Sequence, residues 1–237
     1  MIWIGTSGYS YAEWKGKFYP SDLPTNRMLP FYSERFRTVE INNTFYRMPG
    51  EELLEGWARV VPEKFKFSFK APRSITHVAK LRDCKESVGV FWRMLQVLGP
   101  KLGTVLFQLP PFFKKDLLVL EQFIDVLPSE MRTAFEFRHD SWFDDEVFVL
   151  LKKKKIALCI AESEKISTPL VATTTFGYLR LRKENYQASD LTHWGEWIAM
   201  NRKIWDEAFV YFKHEEAGKG PEFARLLQQQ FEVESSL

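Results

Sequence analysis

The sequence predicts one closed barrel of alternating strands and helices, the TIM-type (β/α)8 fold, as a single domain over residues 1–237. Three observations predict it. Short apolar segments recur eight times, most of them are separated by stretches with helical spacing, and no linker or low-complexity segment divides the chain. Strands that alternate with helices form a parallel sheet, and eight such units without a second domain favour closure into a barrel.

The eight predicted strands are residues 2–5, 38–42, 66–70, 104–109, 133–137, 156–160, 178–182 and 209–213. Apolar residues three or four apart predict helices over residues 51–61, 87–98, 116–127 and 191–205, and residues 222–230 form a closing helix. The sixth unit is irregular, because residues 162–175 are more typical of a loop. An open doubly wound sheet is the alternative, but Gly5-Thr6-Ser7-Gly8 lacks the spacing of a glycine-rich phosphate turn.

Charge and cysteine usage narrow the class of protein. Lysine and arginine number 33 and aspartate and glutamate 31, a balance that argues against bulk attraction to nucleic acid. Cys84 and Cys159 lie far apart without the spacing of a metal site, which is typical of free thiols in a reducing compartment. The first residues lack a signal-peptide pattern, and no apolar run approaches the ~18 residues of a membrane span. We therefore expect a cytoplasmic protein without a membrane partner.

Several predicted strands alternate apolar and polar residues, whereas parallel strands covered on both faces usually run apolar throughout. The segments FKFSFK, FEFR and YLRLR are examples. Because the apolar face should meet the helices, the polar face must look into the barrel. Buried charge must pair, be hydrated or surround a ligand. One hypothesis is a structural ion-pair lattice, with Glu40 paired to Lys70 and Glu136 to Arg180; the other is a binding site.

Active sites of such barrels lie at the C-terminal ends of the strands, and the loops there are rich in functional side chains. The catalytic candidates are Glu40, Glu136 and His139. The substrate-binding candidates are Ser7, Asn42, Tyr46, Lys70, Arg73, His77, Gln108, Arg138, Trp142, Arg180 and His214. The aromatic residues among them suit either stacking on a ligand or packing of the rim, and packing is favoured. Converging arginines and lysines suit a phosphate or carboxylate group.

A metal site and a glycosidase pair are alternatives for the same residues. The types Glu40, Glu136, His139 and His214 suit a divalent metal, but no HExxH or CxxC motif is present. We therefore predict no cofactor and keep a divalent metal as an open alternative. Two inward carboxylates would also suit glycoside hydrolysis, although Arg138 favours an ionised Glu136 over an acid.

The segments IGTSGYSY, VEINNTFYRMP, FEFRHDSW and YFKHEEAGKGPEFA resemble the YecE-like family, known as domain of unknown function 72, and occur in the family's order from residue 4 to about residue 227. The resemblance implies a TIM-like barrel and no established activity. Members commonly carry Arg-Leu-His-Gly at strand seven, where this chain has Arg180-Leu181-Arg182-Lys183, and Asn-Asn-His at strand eight, where it has Phe212-Lys213-His214. The missing strand-seven histidine disfavours a metal, and the added cations favour an anion.

We expect from this an enzyme that binds a small anionic or phosphorylated substrate, with Glu40 or Glu136 as the base. Two alternatives stay open. A nucleic-acid-binding or nuclease-like barrel rests on fold analogy alone. A non-catalytic ligand-binding or scaffold protein would use the inward charges only for its structure.

Overall fold

The computed structural model describes residues 1–163, 166–214 and 218–234. Within these ranges eight parallel strands form the barrel: β1 Ile2–Ser7, β2 Thr38–Ile41, β3 Lys66–Lys70, β4 Leu102–Gln108, β5 Thr133–Glu136, β6 Ala157–Ser163, β7 Phe176–Leu181 and β8 Glu207–Phe212. Each strand pairs with the next in sequence, and β8 pairs with β1, so the sheet closes on itself. The predicted TIM-type barrel is confirmed.

Helices surround the barrel. They are α1 Met28–Ser33, α2 Glu51–Val60, α3 Lys85–Leu95, α4 Leu117–Asp125, α5 Asp145–Lys153, α6 Ala188–Asn201 and α7 Lys219–Glu234. The periodicity did not single out α1 or α5. The first has only six residues, one of them Pro30, and is too short for an apolar stripe. Among the described helices, none is long and apolar enough to cross a lipid bilayer.

The sixth unit is irregular, as predicted. After β6 the described chain has a two-residue strand, Ile166–Ser167, that pairs antiparallel with β6, and it forms no helix before β7. Residues 164 and 165 lie outside the described part. Two threonine side chains accept backbone N–H groups of β6: Thr168 Oγ1 from Ala161 at 3.2 Å, and Thr173 Oγ1 from Leu158 at 2.8 Å. Side-chain hydroxyls therefore fix this loop against the strand where the other units use a helix.

The alternation of the strands separates two cores, of which the sequence predicts the outer one. Phenylalanines of β3, β4 and β5 belong to the core between the sheet and the helices. A second, smaller core fills the barrel interior: Trp3, Leu106, Ala134, Ala157, Cys159, Ala161, Phe176, Tyr178, Phe209 and Tyr211. The tyrosine hydroxyls there do not go unpaired. Tyr211 Oη donates to Ser68 Oγ at 2.8 Å and lies 2.7 Å from Thr38 Oγ1.

Gly5 on β1 allows a close approach of three elements. The Tyr32 hydroxyl of α1 donates to the Thr38 carbonyl of β2 and accepts the Thr6 N–H of β1, both at 2.9 Å. A Cβ on Gly5 would lie 2.2 Å from the Thr38 carbonyl oxygen and 2.8 Å from the Tyr32 hydroxyl. The absence of a side chain at Gly5 is therefore what lets this hydrogen-bonded junction form.

We expect Gly5→Ala to lower the free energy of unfolding by about 1–3 kcal/mol, because the new methyl group must displace backbone. Gly56→Ala is the matched control. Gly56 lies inside α2 with nothing within 4 Å of its Cβ position. The control should raise stability by about 0.5–1 kcal/mol through helix propensity. Urea denaturation of both variants checks this, and an unchanged Gly5→Ala midpoint would contradict it.

Candidate functional site

Arg180 of β7 lies at the centre of the polar layer near the C-terminal ends of the strands. Its guanidinium joins two carboxylates: Nη2 lies 2.9 Å from Glu40 Oε1 of β2, and Nη1 contacts Glu136 Oε2 of β5. Nη1 also donates to Gln108 Oε1 at 3.3 Å. Arg180 is 2% exposed and both glutamates are fully buried. One buried cation therefore ties three strands together across the barrel.

The Glu40 carboxylate accepts hydrogen bonds from several side chains. Its Oε1 accepts from Ser7 Oγ at 2.5 Å and Asn42 Nδ2 at 3.2 Å, besides Arg180, and its Oε2 accepts from Tyr178 Oη at 2.7 Å. Burial alone would raise the pKa of Glu40, but Arg180 and the hydroxyl donors outweigh it and hold the pKa below its ordinary value. Glu40 is therefore an anion whose Oε1 accepts from Ser7, Asn42 and Arg180 and whose Oε2 accepts from Tyr178.

Three arginines share the Glu136 carboxylate. Its Oε1 accepts from Arg138 Nε at 2.9 Å and from Arg182 Nη2 at 3.0 Å, while Arg180 binds Oε2. Burial opposes ionisation here too, but the three guanidinium groups hold the pKa of Glu136 far below its ordinary value. Since Glu40 is the second carboxylate of the layer, three guanidinium groups face two carboxylates.

One expected pair of the glutamates is wrong: Glu40 pairs with Arg180, not with Lys70. Both carboxylates bind guanidinium groups and both have lowered pKa values, whereas a general base works best with a pKa near the working pH. In this structure they hold the arginines in place, and their catalytic role stays a prediction. The expected pair of Glu136 with Arg180 is present.

Lys70, the last residue of β3, differs from the arginines because its amine lacks a partner. Within the described part of the chain, Nζ makes no hydrogen bond and no ion pair; it lies 3.8 Å from the ring centroid of Phe45. Burial and the nearby Arg180 lower the pKa of Lys70 to about 7, against the opposing pull of Glu136 and Glu40. Much of this amine is therefore uncharged at neutral pH.

His77 lies in the same positively charged region, and its pKa is lowered there. Its Nδ1 lies 2.9 Å from Thr76 Oγ1. Burial, followed by the charges of Lys70, Arg138 and Arg73, lowers the pKa of His77 to about 4. The ring is neutral at pH 7, and the loops after β3 and β5 bring their cations near each other. Arg73 itself is exposed.

His139 has a structural hydrogen bond that limits its chemistry. Its Nδ1 accepts the Ser141 backbone N–H at 3.2 Å, which caps the short 3-10 helix Asp140–Trp142. A nitrogen that accepts from a backbone N–H carries a lone pair, so a neutral ring has its proton on Nε2. His139 in this form is thus a donor through Nε2, and its catalytic role stays a prediction.

Three other candidates lie outside the Arg180 network. Trp142 is fully buried and stacks on Phe137 at 4.8 Å, which makes the prediction that it binds substrate wrong. A ring nitrogen of His214, Nε2, bonds the Lys183 carbonyl, so this side chain links two loops. Tyr46 is 83% exposed and belongs to the rim. Loop residues do not follow the strand alternation, which is why the sequence placed them poorly.

The alternation could have identified two further residues. Tyr178 and Arg182 share the parity of Arg180, which points into the barrel, and each binds a glutamate of the layer. Arg182 Nε is buried and has no partner in the described part of the chain, and the same holds for Asn42 Oδ1. These two atoms are hydrogen-bonding groups that the protein itself leaves unused.

The proposed metal ligands do not come together. Across the described ranges, no three His, Cys, Asp or Glu side chains converge as a metal site requires. Both glutamates of that set are occupied by arginine. Glu215 and Glu216, which follow β8, lie outside the described residues.

A family model described as "Protein of unknown function DUF72" matches residues 3–237. The chain belongs to the DUF72 family. It is 34% identical over 144 residues to the UPF0759 protein YecE of Escherichia coli K12, covering 60% of this chain and 50% of that protein. It is 31% identical over 153 residues to the UPF0759 protein YunF of Bacillus subtilis, covering 60% and 52%. The chain thus spans about half the length of the curated relatives it matches.

Solved DUF72 structures have the same fold. A DUF72 protein from Thermotoga maritima superposes with a TM-score of 0.85 and 27% identity, covering 98% of this chain and 99% of that one. A DUF72 protein from Enterococcus faecalis gives a TM-score of 0.81 at 18% identity, covering 97% and 94%. The resemblance inferred from the motifs is therefore confirmed.

Removing Arg180 should destabilise this DUF72 barrel strongly. Arg180→Met leaves Glu40 and Glu136 buried without their shared cation, and loss of one partner of a buried pair costs about 3–5 kcal/mol. The free energy of unfolding from urea titration measures it. Arg93→Met on the exposed side of α3 is the control and should change stability by less than about 0.5 kcal/mol.

Between pH 7 and pH 5 the two proteins should differ: the native glutamates stay ionised and leave stability unchanged, whereas the variant should respond. In the native protein the folded pKa values of Glu40 and Glu136 are depressed, so their stabilisation is present above the ordinary carboxyl pKa and is lost as pH falls through the folded values. In Arg180→Met the Glu40 carboxylate loses its cation and burial raises its pKa, whereas Glu136 keeps Arg138 and Arg182. Lowering the pH from about 7 to about 5 should therefore stabilise the variant through Glu40. Denaturation curves at both pH values check this; a variant that loses stability on acidification would contradict it.

Proposed function

We propose that this DUF72 barrel is an enzyme whose substrate is a small anion, a carboxylate or phosphate ester, bound at the C-terminal mouth of the barrel. The observation that supports this most is the sharing of Glu136 Oε1 by Arg138 and Arg182 while Arg180 takes the other oxygen. Several guanidinium groups around one carboxylate carry more positive charge than the protein's own anions neutralise.

A count of donors supports the proposal. A guanidinium has five N–H groups. The guanidinium groups of Arg138 and Arg182 each donate once to Glu136, and within the described residues the structure gives these side chains no other hydrogen bond. Arg182 Nε is buried and unpartnered, a position that is costly unless something accepts from it. The planar fork of the remaining N–H groups matches the oxygens of a carboxylate or phosphate.

The electrostatics agree with the donor count. Burial and the nearby Arg180 lower the pKa of Arg182 despite the opposing Glu136. Burial and the three cations Lys70, Arg138 and Arg73 lower the pKa of His77. Excess positive charge that is partly removed from water is unfavourable until an anion neutralises it. This excess lies at the end of the barrel where TIM-type enzymes build their active sites.

A scaffold protein would need only the inner part of this network. The bridge of Glu40, Arg180 and Glu136 is closed, buried and sufficient to tie the strands. Arg138 and Arg182 are not needed to tie the strands. Both are more exposed to solvent than Arg180, and so is the unpaired Lys70. These three side chains are the part of the layer that favours a ligand.

Calorimetric titration with inorganic phosphate tests the proposal. Arg138→Gln and Arg182→Gln should each weaken binding by about tenfold or more, since a hydrogen bond to a charged group contributes about 1.5–3 kcal/mol. Arg93→Gln makes the same charge change on α3 and should bind like the unaltered protein. Equal losses in all three variants would mean nonspecific attraction and would contradict the site.

A single-stranded oligonucleotide provides the contrasting probe. Binding to nucleic acid releases counterions from many phosphates. The logarithm of the binding constant would therefore fall steeply and linearly with the logarithm of the salt concentration. If the oligonucleotide binds in that manner while phosphate does not compete with it, the small-anion proposal is wrong. We expect phosphate to bind and the oligonucleotide to bind no better than phosphate itself.

A further inference from the structure

Neither the packing of the barrel nor the ion pairs of the charged layer explain why a lysine stands at position 70. It ends β3, and its amine belongs to the same charged layer as Arg138 and Arg180. We infer that Lys70 is a nucleophile that forms an imine with an aldehyde or ketone whose carboxylate or phosphate group is held by Arg138 and Arg182. This inference rests on the proposed function and names the substrate class of the same site.

The first support is the absence of a partner. Arg138, Arg180 and Arg182 each donate to a buried carboxylate, whereas the Lys70 amine, in the described part of the chain, has no hydrogen bond or ion pair. A lysine used for structure would pair with Glu40 or Glu136, but in the described residues those carboxylates accept from hydroxyl, amide and guanidinium donors and not from Lys70. The amine is held close to the layer without being neutralised by it.

The second support is the surroundings of the amine. Phe45 covers one side of it at 3.8 Å from the ring centroid, and the side chain as a whole is half-buried. The π face of that ring favours an ammonium. Burial and the charges of Arg180 and Arg138 act the other way and bring the pKa of Lys70 to about 7. Desolvation and adjacent cations are the two means by which proteins activate lysine for Schiff-base chemistry.

The proposed step conserves atoms and charge. The lone pair of the unprotonated Nζ attacks the carbonyl carbon, the C=O π pair moves to oxygen, and that oxygen takes a proton from solvent. The nitrogen, now cationic, releases one of its two protons to solvent, which restores its lone pair and gives a neutral carbinolamine. A second proton converts its hydroxyl to water, the C–O bond breaks, and the nitrogen lone pair forms the C=N bond. The N–H proton that remains leaves a protonated imine, and one water is released per carbonyl consumed.

The site favours imine formation only with a substrate that carries the anionic group and the carbonyl group in one molecule. An anionic group on Arg138 and Arg182 would hold the carbonyl carbon near Nζ and turn a bimolecular reaction into an effectively unimolecular one. A carbonyl compound without the anion gains no such advantage. This difference separates the site from the ordinary reactivity of surface lysines.

Reductive trapping tests the inference on the unaltered protein. Pyruvate and dihydroxyacetone phosphate serve as the carboxylate and phosphate probes, and acetone as the uncharged control, each with sodium cyanoborohydride. Peptide mass spectrometry then gives the labelled fraction of every lysine. We expect Lys70 to label at least about tenfold faster than any other lysine with one or both anionic probes, and with acetone to lose that preference. Its labelling should be half-maximal near pH 7.

Lys66→Gln is the matched control, because Lys66 begins the same strand and its amine already donates to the Pro100 carbonyl at 2.6 Å. That variant should keep the Lys70 label, whereas Lys70→Gln should lose it. If Lys70→Gln does not fold, Lys70→Arg and the site-resolved label of the unaltered protein decide. Uniform labelling, or equal preference with acetone, would overturn the inference. If phosphate binds in calorimetry but Lys70 is not labelled, this inference alone is wrong. If phosphate does not bind, the proposed function is wrong as well.

Discussion

The bridge from Glu40 through Arg180 to Glu136 is the constraint on which the polar end of the barrel depends. It joins β2, β7 and β5, and Ser7 and Gln108 extend it to β1 and β4. Five strands thus meet through hydrogen bonds at a level where an ordinary barrel would pack apolar side chains. Because every member is buried, none can be removed without leaving an unpaired charge or donor.

Such a layer is a poor choice if stability is the only requirement. A buried ion pair can often be replaced by apolar residues of the same size with no loss of stability. The rest of the interior follows the apolar pattern, with Trp3, Phe176 and Phe209 packed against small alanines. The charged layer therefore fixes something that apolar residues cannot: the positions of the Arg138 and Arg182 guanidinium groups, whose only hydrogen-bond partner in the described residues is Glu136.

The sequence predicted the faces of the strands well and the contacts between them poorly. A period of two residues places Glu40, Glu136 and Arg180 inside the barrel whatever their partners are. Partners depend on strand stagger and side-chain length, so the pairing of Glu40 with Lys70 was wrong although its direction was right. The loops obey no period. His139 and Trp142 follow β5 in chain order, yet one caps a short helix and the other enters the outer core.

The same positive excess explains both properties proposed for the site. Glu40 and Glu136 accept from hydroxyl and guanidinium donors, and in the described residues neither pairs with the Lys70 amine. Arg180 and Arg138 then lower the pKa of that amine, and Arg138 and Arg182 keep N–H groups for an anion. An anion that neutralises the arginines would favour the ammonium form and reduce attack by Nζ. A substrate that carries the anion and the carbonyl together offsets this loss by proximity, whereas free phosphate would only deactivate the amine.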